Sequence, residues 1–237
     1  MTNTSTDIDV NKATSKDTHD DVNNDVNKTV SEKFAYYIGE YRERFLDISQ
    51  KLTPKNIAPA IEMLTEKRKV HTIGVMATAL KLAKHYGEDE AKAVLAAMLH
   101  DIYKNISPTE LMDLATKYEL PCRYKDNINL AHSKLATIKM KNDFNISDID
   151  ILNSVSYHTT GRANMSMLEK IIFIADAIEP GRTYKSLAAL TELAFSNIDE
   201  ACHELLAYTI EHINNLGQYL DEDTIMAEEY YRRKLND

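Results

Sequence analysis

Tryptophan is absent, cysteine occurs twice, and glycine and proline are scarce, at 6 and 5 of 237 residues. Each shortage excludes something. Cys122 and Cys202 lie too far apart for a metal-ligand spacing and are too few for a disulfide framework, so they read as free thiols in a reducing cytoplasm. Few glycines and prolines, and no Asn-Gly or Asp-Gly pair, leave β-hairpins without their usual turns. No apolar run reaches the roughly 18 residues of a membrane span. The opening "MTNTSTDIDVNKATSK" lacks the charged-then-apolar order of a secretory signal. Positive charge is short too: 28 Lys and Arg against 37 Asp and Glu give a net charge of -9. The densest basic cluster, "YRRKL", is brief and follows "DED" and "EE". It reads as a solvated helix end, and no nucleic-acid surface is expected.

What is present is helical patterning, with a hydrophobic fraction of 43% that can build a sizeable core. Residues 1 to 30 stand apart. They repeat "DVNK" at Asp9 and Asp25 and "DVNN" at Asp21, and contain no aromatic residue. Such a segment buries too little to offset its ordering entropy and is expected to be a disordered polar tail, with a short helix at 20–28 as the alternative. From Ser31 to Asp237 one all-α domain of roughly nine or ten helices is expected. "SEKFAYYIGEYRERFLDISQKL" places Phe34, Tyr37, Ile38, Tyr41 and Phe45 on one helical face. The next stretch, to His85, reads as one long helix or two joined near Pro59, closed by Gly87. "EDEAKAVLAAMLHDIYK" is apolar nearly all round, which implies burial on several sides. Capping patterns at Ser107–Glu110, Ser166–Glu169 and, more weakly, Ser147–Asp150 mark further helix starts.

Some polar residues do not fit a surface. His19 lies in the tail, and His85, His203 and His212 sit among charged neighbours or at helix ends. His71, His100, His132 and His158 lie on or at the end of apolar stripes, as do Asp101 and Asp176. Each alone could be a hydrogen-bonded core group. Together they demand a common explanation, because a carboxylate in an apolar interior needs a cation. No Arg or Lys lies within the same apolar runs. A divalent metal with imidazoles completing its shell would satisfy both acids. His100 and Asp101 are adjacent and would diverge by about 100° on a continuous helix, so a helix end is expected there.

The order His71, His100-Asp101, Asp176 resembles the HD-domain metal-dependent phosphohydrolases. The segments "KRKVHTIGV", "LHDIYK", "YHTTGRANMSMLEKIIFIADAIEPGR" and "DTI" are similar to one branch of them, the symmetrical bis(5'-nucleosyl)-tetraphosphatases (the YqeK family). The resemblance covers about residues 57–237. It implies that His71, His100, Asp101 and Asp176 ligate a metal, with iron first and manganese or cobalt as alternatives, and that one or two ions bind. It places His132 and His158 toward a second ion or the substrate phosphates. Lys104, Arg162 and Arg182 are implied to meet phosphate. Thr159, Thr160 and Gly161 form a tight polar loop whose backbone N–H groups could approach a phosphate, a plain turn being the other account. Asp101, Lys104 and His158 are implied to be catalytic, His158 as the proton donor to the leaving group. The family often has "HGP" or "HAP" where this chain reads His132-Ser133-Lys134, so an altered turn is expected after His132. The implied reaction is symmetrical cleavage of diadenosine tetraphosphate, a dinucleoside polyphosphate, to two ADP. A homodimer is compatible with it. Two other readings share the ligand set: an HD hydrolase of a guanosine alarmone or nucleotide monophosphate, and a non-catalytic nucleotide sensor.

Overall fold

The chain is described by a computed structural model at residues 28–125 and 127–237. The expected disordered tail and the alternative helix at 20–28 fall almost wholly outside the described residues. Thirteen helices and no strand occur among the described residues. The N-terminal group is α1 (Val30–Glu40), α2 (Arg42–Ile48), α3 (Pro54–Glu62), α4 (Glu66–Tyr86) and α5 (Glu90–Leu99). The middle group is α6 (Pro108–Lys117), α7 (Cys122–Lys125), α8 (Ile128–Asn142), α9 (Ile149–Ser156) and α10 (Met167–Ile178). The chain closes with α11 (Leu187–Ser196), α12 (Ile198–Asn215) and α13 (Glu222–Lys234).

The higher number than nine or ten has local causes. The first long stripe divides at Tyr41 into α1 and α2. The next divides at Met63–Thr65 and not at Pro59, which lies inside α3. Thr65 stops the run because its side chain accepts the Arg68 N–H and so caps a new helix. At α9 the cap is Asp148, whose carboxylate accepts from Asp150 and Ile151, and not Ser147. No turn follows His132. Ser133 and Lys134 continue inside α8.

The sequence signals that did hold set the site's frame. α4 ends at Gly87, in the left-handed conformation (φ 69°), with Lys84 and His85 in its last turn. α5 starts on Asp89 and ends at Leu99, and Ala91 and every residue from Ala93 to Leu99 are buried. It lies against α2, α4, α9 and α10, and beyond Lys92 it has no solvent face to accommodate polar groups. α10 opens with a complete capping box between Ser166 and Glu169. α8 packs on α9, and α12 braces α10 from the other side. The ends of α5 and α9 and the faces of α4, α8 and α10 therefore converge. No helix among the described residues is long and apolar enough to cross a membrane.

Candidate metal centre

Six side chains meet where these elements converge. His71 comes from α4, His132 from α8 and Asp176 from α10. His100 caps α5, Asp101 begins the turn beyond it, and His158 lies just past α9. α5 ends at Leu99; His100 keeps helical dihedrals as its C-cap, Asp101 opens the turn beyond it, and the two side chains meet at 3.4 Å. All four imidazoles and Asp101 are 9% exposed or less.

Asp101 is the centre of the cluster. Its Oδ2 lies 3.7 Å from His71 Nε2 and 3.4 Å from His100 Nε2. Its Oδ1 lies 3.1 Å from His132 Nε2 and 3.6 Å from His158 Nε2. Asp176 Oδ1 lies 3.1 Å from His71 Nε2. One carboxylate thus presents one oxygen to each of two imidazole pairs.

The tautomers follow from the outer ring nitrogens. His100 Nδ1 donates to the Ala97 carbonyl at 2.6 Å, and His158 Nδ1 to the Val155 carbonyl at 2.8 Å. The Nε2 lone pairs are left facing inward. His71 Nε2 and His100 Nε2 are buried without a hydrogen-bond partner. Orphaned buried nitrogens beside a buried carboxylate fit a divalent metal ion, and three overlapping groups of three ligands occur here.

The charges are strongly perturbed. Burial works to raise the Asp101 pKa, but His100, His132 and His158 outweigh it and hold the acid well below its usual range. Asp176 is lowered as well, burial being overcome by His71 first. Burial lowers His132 to about 4 despite its bond to Asp101, which keeps that ring neutral. At His71 burial is overcome by the carboxylates of Asp176 and Glu179, and the pKa is raised. Burial lowers Lys104.

Two participants were missed by the sequence reading. Arg68 Nη1 donates to Asp101 Oδ2 at 2.7 Å. Glu179 Oε1 accepts from His71 Nδ1 at 3.1 Å. Both stand three residues from a recognised ligand, Arg68 before His71 and Glu179 after Asp176, a spacing that shares a helix face. Cations from outside those apolar runs also reach the two acids. Arg68 reaches Asp101 from another helix, and Arg182 Nη2 reaches Asp176 Oδ1 at 2.5 Å.

The remaining candidates divide. Arg68 and Arg182 pair with Asp101 and Asp176, Lys104 lies within electrostatic reach of all four, and Thr159 Oγ1 is 3.2 Å from His158 Nε2. Thr160 is buried and donates to the Gly161 carbonyl. Gly161 (φ 64°) gives its N–H to Tyr157 O at 2.8 Å, so that N–H does not face a phosphate. Arg162 grips Glu169 through two bonds of 2.6 and 2.7 Å, away from the cluster.

With the geometry in place, the comparisons become specific. The HD domain family model matches residues 68–181, which include all six cluster residues. A symmetrical bis(5'-nucleosyl)-tetraphosphatase of Bacillus subtilis is 33% identical over 167 residues, 70% of this chain and 90% of the relative. One of Halalkalibacterium halodurans is 39% identical over 165 residues, 68% of this chain and 87% of the relative. The chain belongs to this HD-domain tetraphosphatase family. A crystal structure from Clostridium acetobutylicum, described as an HD superfamily hydrolase involved in NAD metabolism, matches with a TM-score of 0.72 and 38% identity. The match covers 76% of this chain and 96% of that one. The matched span contains His71, His100, Asp101 and Asp176, with His132 and His158 on the far side of Asp101.

Proposed function

We propose that this protein hydrolyses diadenosine tetraphosphate symmetrically, giving two ADP, with His71, His100, Asp101 and Asp176 as the residues that would hold one divalent ion and Asp101, His132 and His158 as those that would hold a second, iron being the native metal. The observation that carries this is the division of Asp101, one oxygen toward His71 and His100 and the other toward His132 and His158. Asp176 completes the first set. A divalent ion in such a site lowers the pKa of water and polarises phosphoryl oxygens.

The chain's own residues supply the rest. Arg68, Lys104 and Arg182 form a cationic rim that meets the polyphosphate, with Arg68 and Arg182 exchanging their carboxylate partners for phosphate oxygens. Water attacks an inner phosphorus and the central bridging P–O bond breaks. The leaving ADP oxygen takes a proton. The sequence reading gave this proton to His158, but its Nδ1–H is held by Val155 and its Nε2 lone pair faces Asp101. Lys104, an ammonium whose acidity burial increases, takes the role instead. The domain acts as one unit from residue 31 onward, in the cytoplasm.

The test is product analysis. Purified protein with ferrous or manganous ion should convert diadenosine tetraphosphate to ADP alone. ATP plus AMP would contradict the symmetrical mechanism. Asp101→Ala should lower turnover by at least 1000-fold, on the order expected when both metal sets lose their shared ligand, while helical circular dichroism is retained.

A further inference from the structure

Glu179 is an unusual group to bury. It follows the last residue of α10, is 4% exposed, and has no role in the family motif as read from sequence. Its Oε2 accepts the Gly181 N–H at 2.6 Å, and its Oε1 accepts from His71 Nδ1 at 3.1 Å. Two glycines make room for it. A Cβ at Gly74, one turn beyond His71 on α4, would stand 2.5 Å from Oε2, and one at Gly181 would stand 2.9 Å from Oε1. Neither distance is tolerable without moving the carboxylate.

The four imidazoles are not treated alike. His100 and His158 give their Nδ1 to neutral backbone carbonyls. His132 Nδ1 is buried with no partner. His71 Nδ1 meets a full carboxylate. A carboxylate behind an imidazole fixes its tautomer, fixes its ring and makes its inner nitrogen a stronger donor.

We infer that Glu179 is a positioning residue that makes the His71 side of the centre the tight ion site and leaves the His132 side exchangeable. The inference rests on the two-ion reading above. It assigns a stepwise loading order that the ligand set alone does not contain: the ion at His71, His100 and Asp176 binds first and is retained. The second, between Asp101, His132 and His158, comes and goes.

Titrating the chelator-stripped full chain with manganese, followed by calorimetry, tests this. Wild type should show two steps, the first the tighter. Glu179→Gln can offer only one acceptor oxygen to two donors. It should weaken the first step by about 10–100-fold and leave the second unchanged. Gly74→Ala keeps Glu179 and favours the helix, yet displaces the carboxylate, and should weaken the same step. Equal weakening of both steps would mark a merely structural role and overturn the inference, as would an unchanged first step. A wild type that binds no manganese overturns the metal-centre reading as well. A wild type whose two variants bind normally overturns the role of Glu179 alone.

Discussion

Lys134 shows how one side chain couples burial to the position of a ligand. It is 9% exposed, and its Nζ donates to the Ser156 carbonyl at 2.7 Å and to Ser156 Oγ at 3.1 Å. The ring of Tyr157 lies 3.9 Å from the ammonium. The lysine thus holds the end of α9 just before His158. Burial pulls its amine down to about 8 from 10.5. Between those values the unfolded chain binds more protons than the folded one, so stability rises with pH across that window. Below pH 8 the penalty is complete. Lys134→Met should remove a slope of at most about 1.4 kcal/mol per pH unit. Urea midpoints of both proteins at pH 7.5 and 10 would show it, and parallel pH trends would refute it. The clustering of these imidazoles and carboxylates was legible because such groups are out of place on apolar stripes. Arg68 and Glu179 were not, because each is ordinary on its own helix and acquires its role only across the contacts of α4 with α5 and α10.

Among the elements, α10 carries the most combined information. Its capping box was readable from Ser166 and Glu169, but the second use of Glu169 was not. That carboxylate is 1% exposed and is held by Arg162 as well as by the Ser166 N–H. Arg162 therefore ties the loop after α9 to the start of the helix that bears Asp176. Removing it leaves a buried acid with a single backbone partner. Arg162→Met should destabilise the fold by about 2–3 kcal/mol, below the full range for a broken buried pair because the arginine is partly exposed. Thermal unfolding measures this. Unchanged stability with a raised KM would instead return Arg162 to the phosphate-binding role expected from sequence. Helix boundaries failed for a related reason. Thr65 acts through one cap bond and Asp148 through two, each in competition with an equally good neighbour, and a periodic stripe does not reveal which wins.

The whole molecule holds its site together before any ion arrives. α5 is buried from Ala93 to Leu99, and the apolar core continues from α1 to α13, so the fold does not depend on the centre for its hydrophobic burial. Arg68 and Arg182 supply positive charge to Asp101 and Asp176 in the meantime. The chain should accordingly be folded without metal and gain stability with it. At 100 times the dissociation constant the gain is about 2.7 kcal/mol. For a domain of this size it raises Tm by roughly 5–10 °C. Calorimetric scans with and without manganese check this. A chain that unfolds entirely on chelation would show that the arginines do not perform this task. The all-α class was legible from the scarcity of turn residues and the repeated stripes. The convergence of five separate elements was not, since nothing in a local pattern states which helix ends meet.

That convergence also governs when the centre can exist. His71 and Asp176 are 105 positions apart in sequence (176 − 71), and every other ligand lies between them. During synthesis a ribosome adds about 5–20 residues each second, so the interval between the two takes at least several seconds. Throughout it the nascent chain carries His71 without Asp176. The full cluster can therefore assemble only after Asp176 has been made, late in the synthesis of the domain.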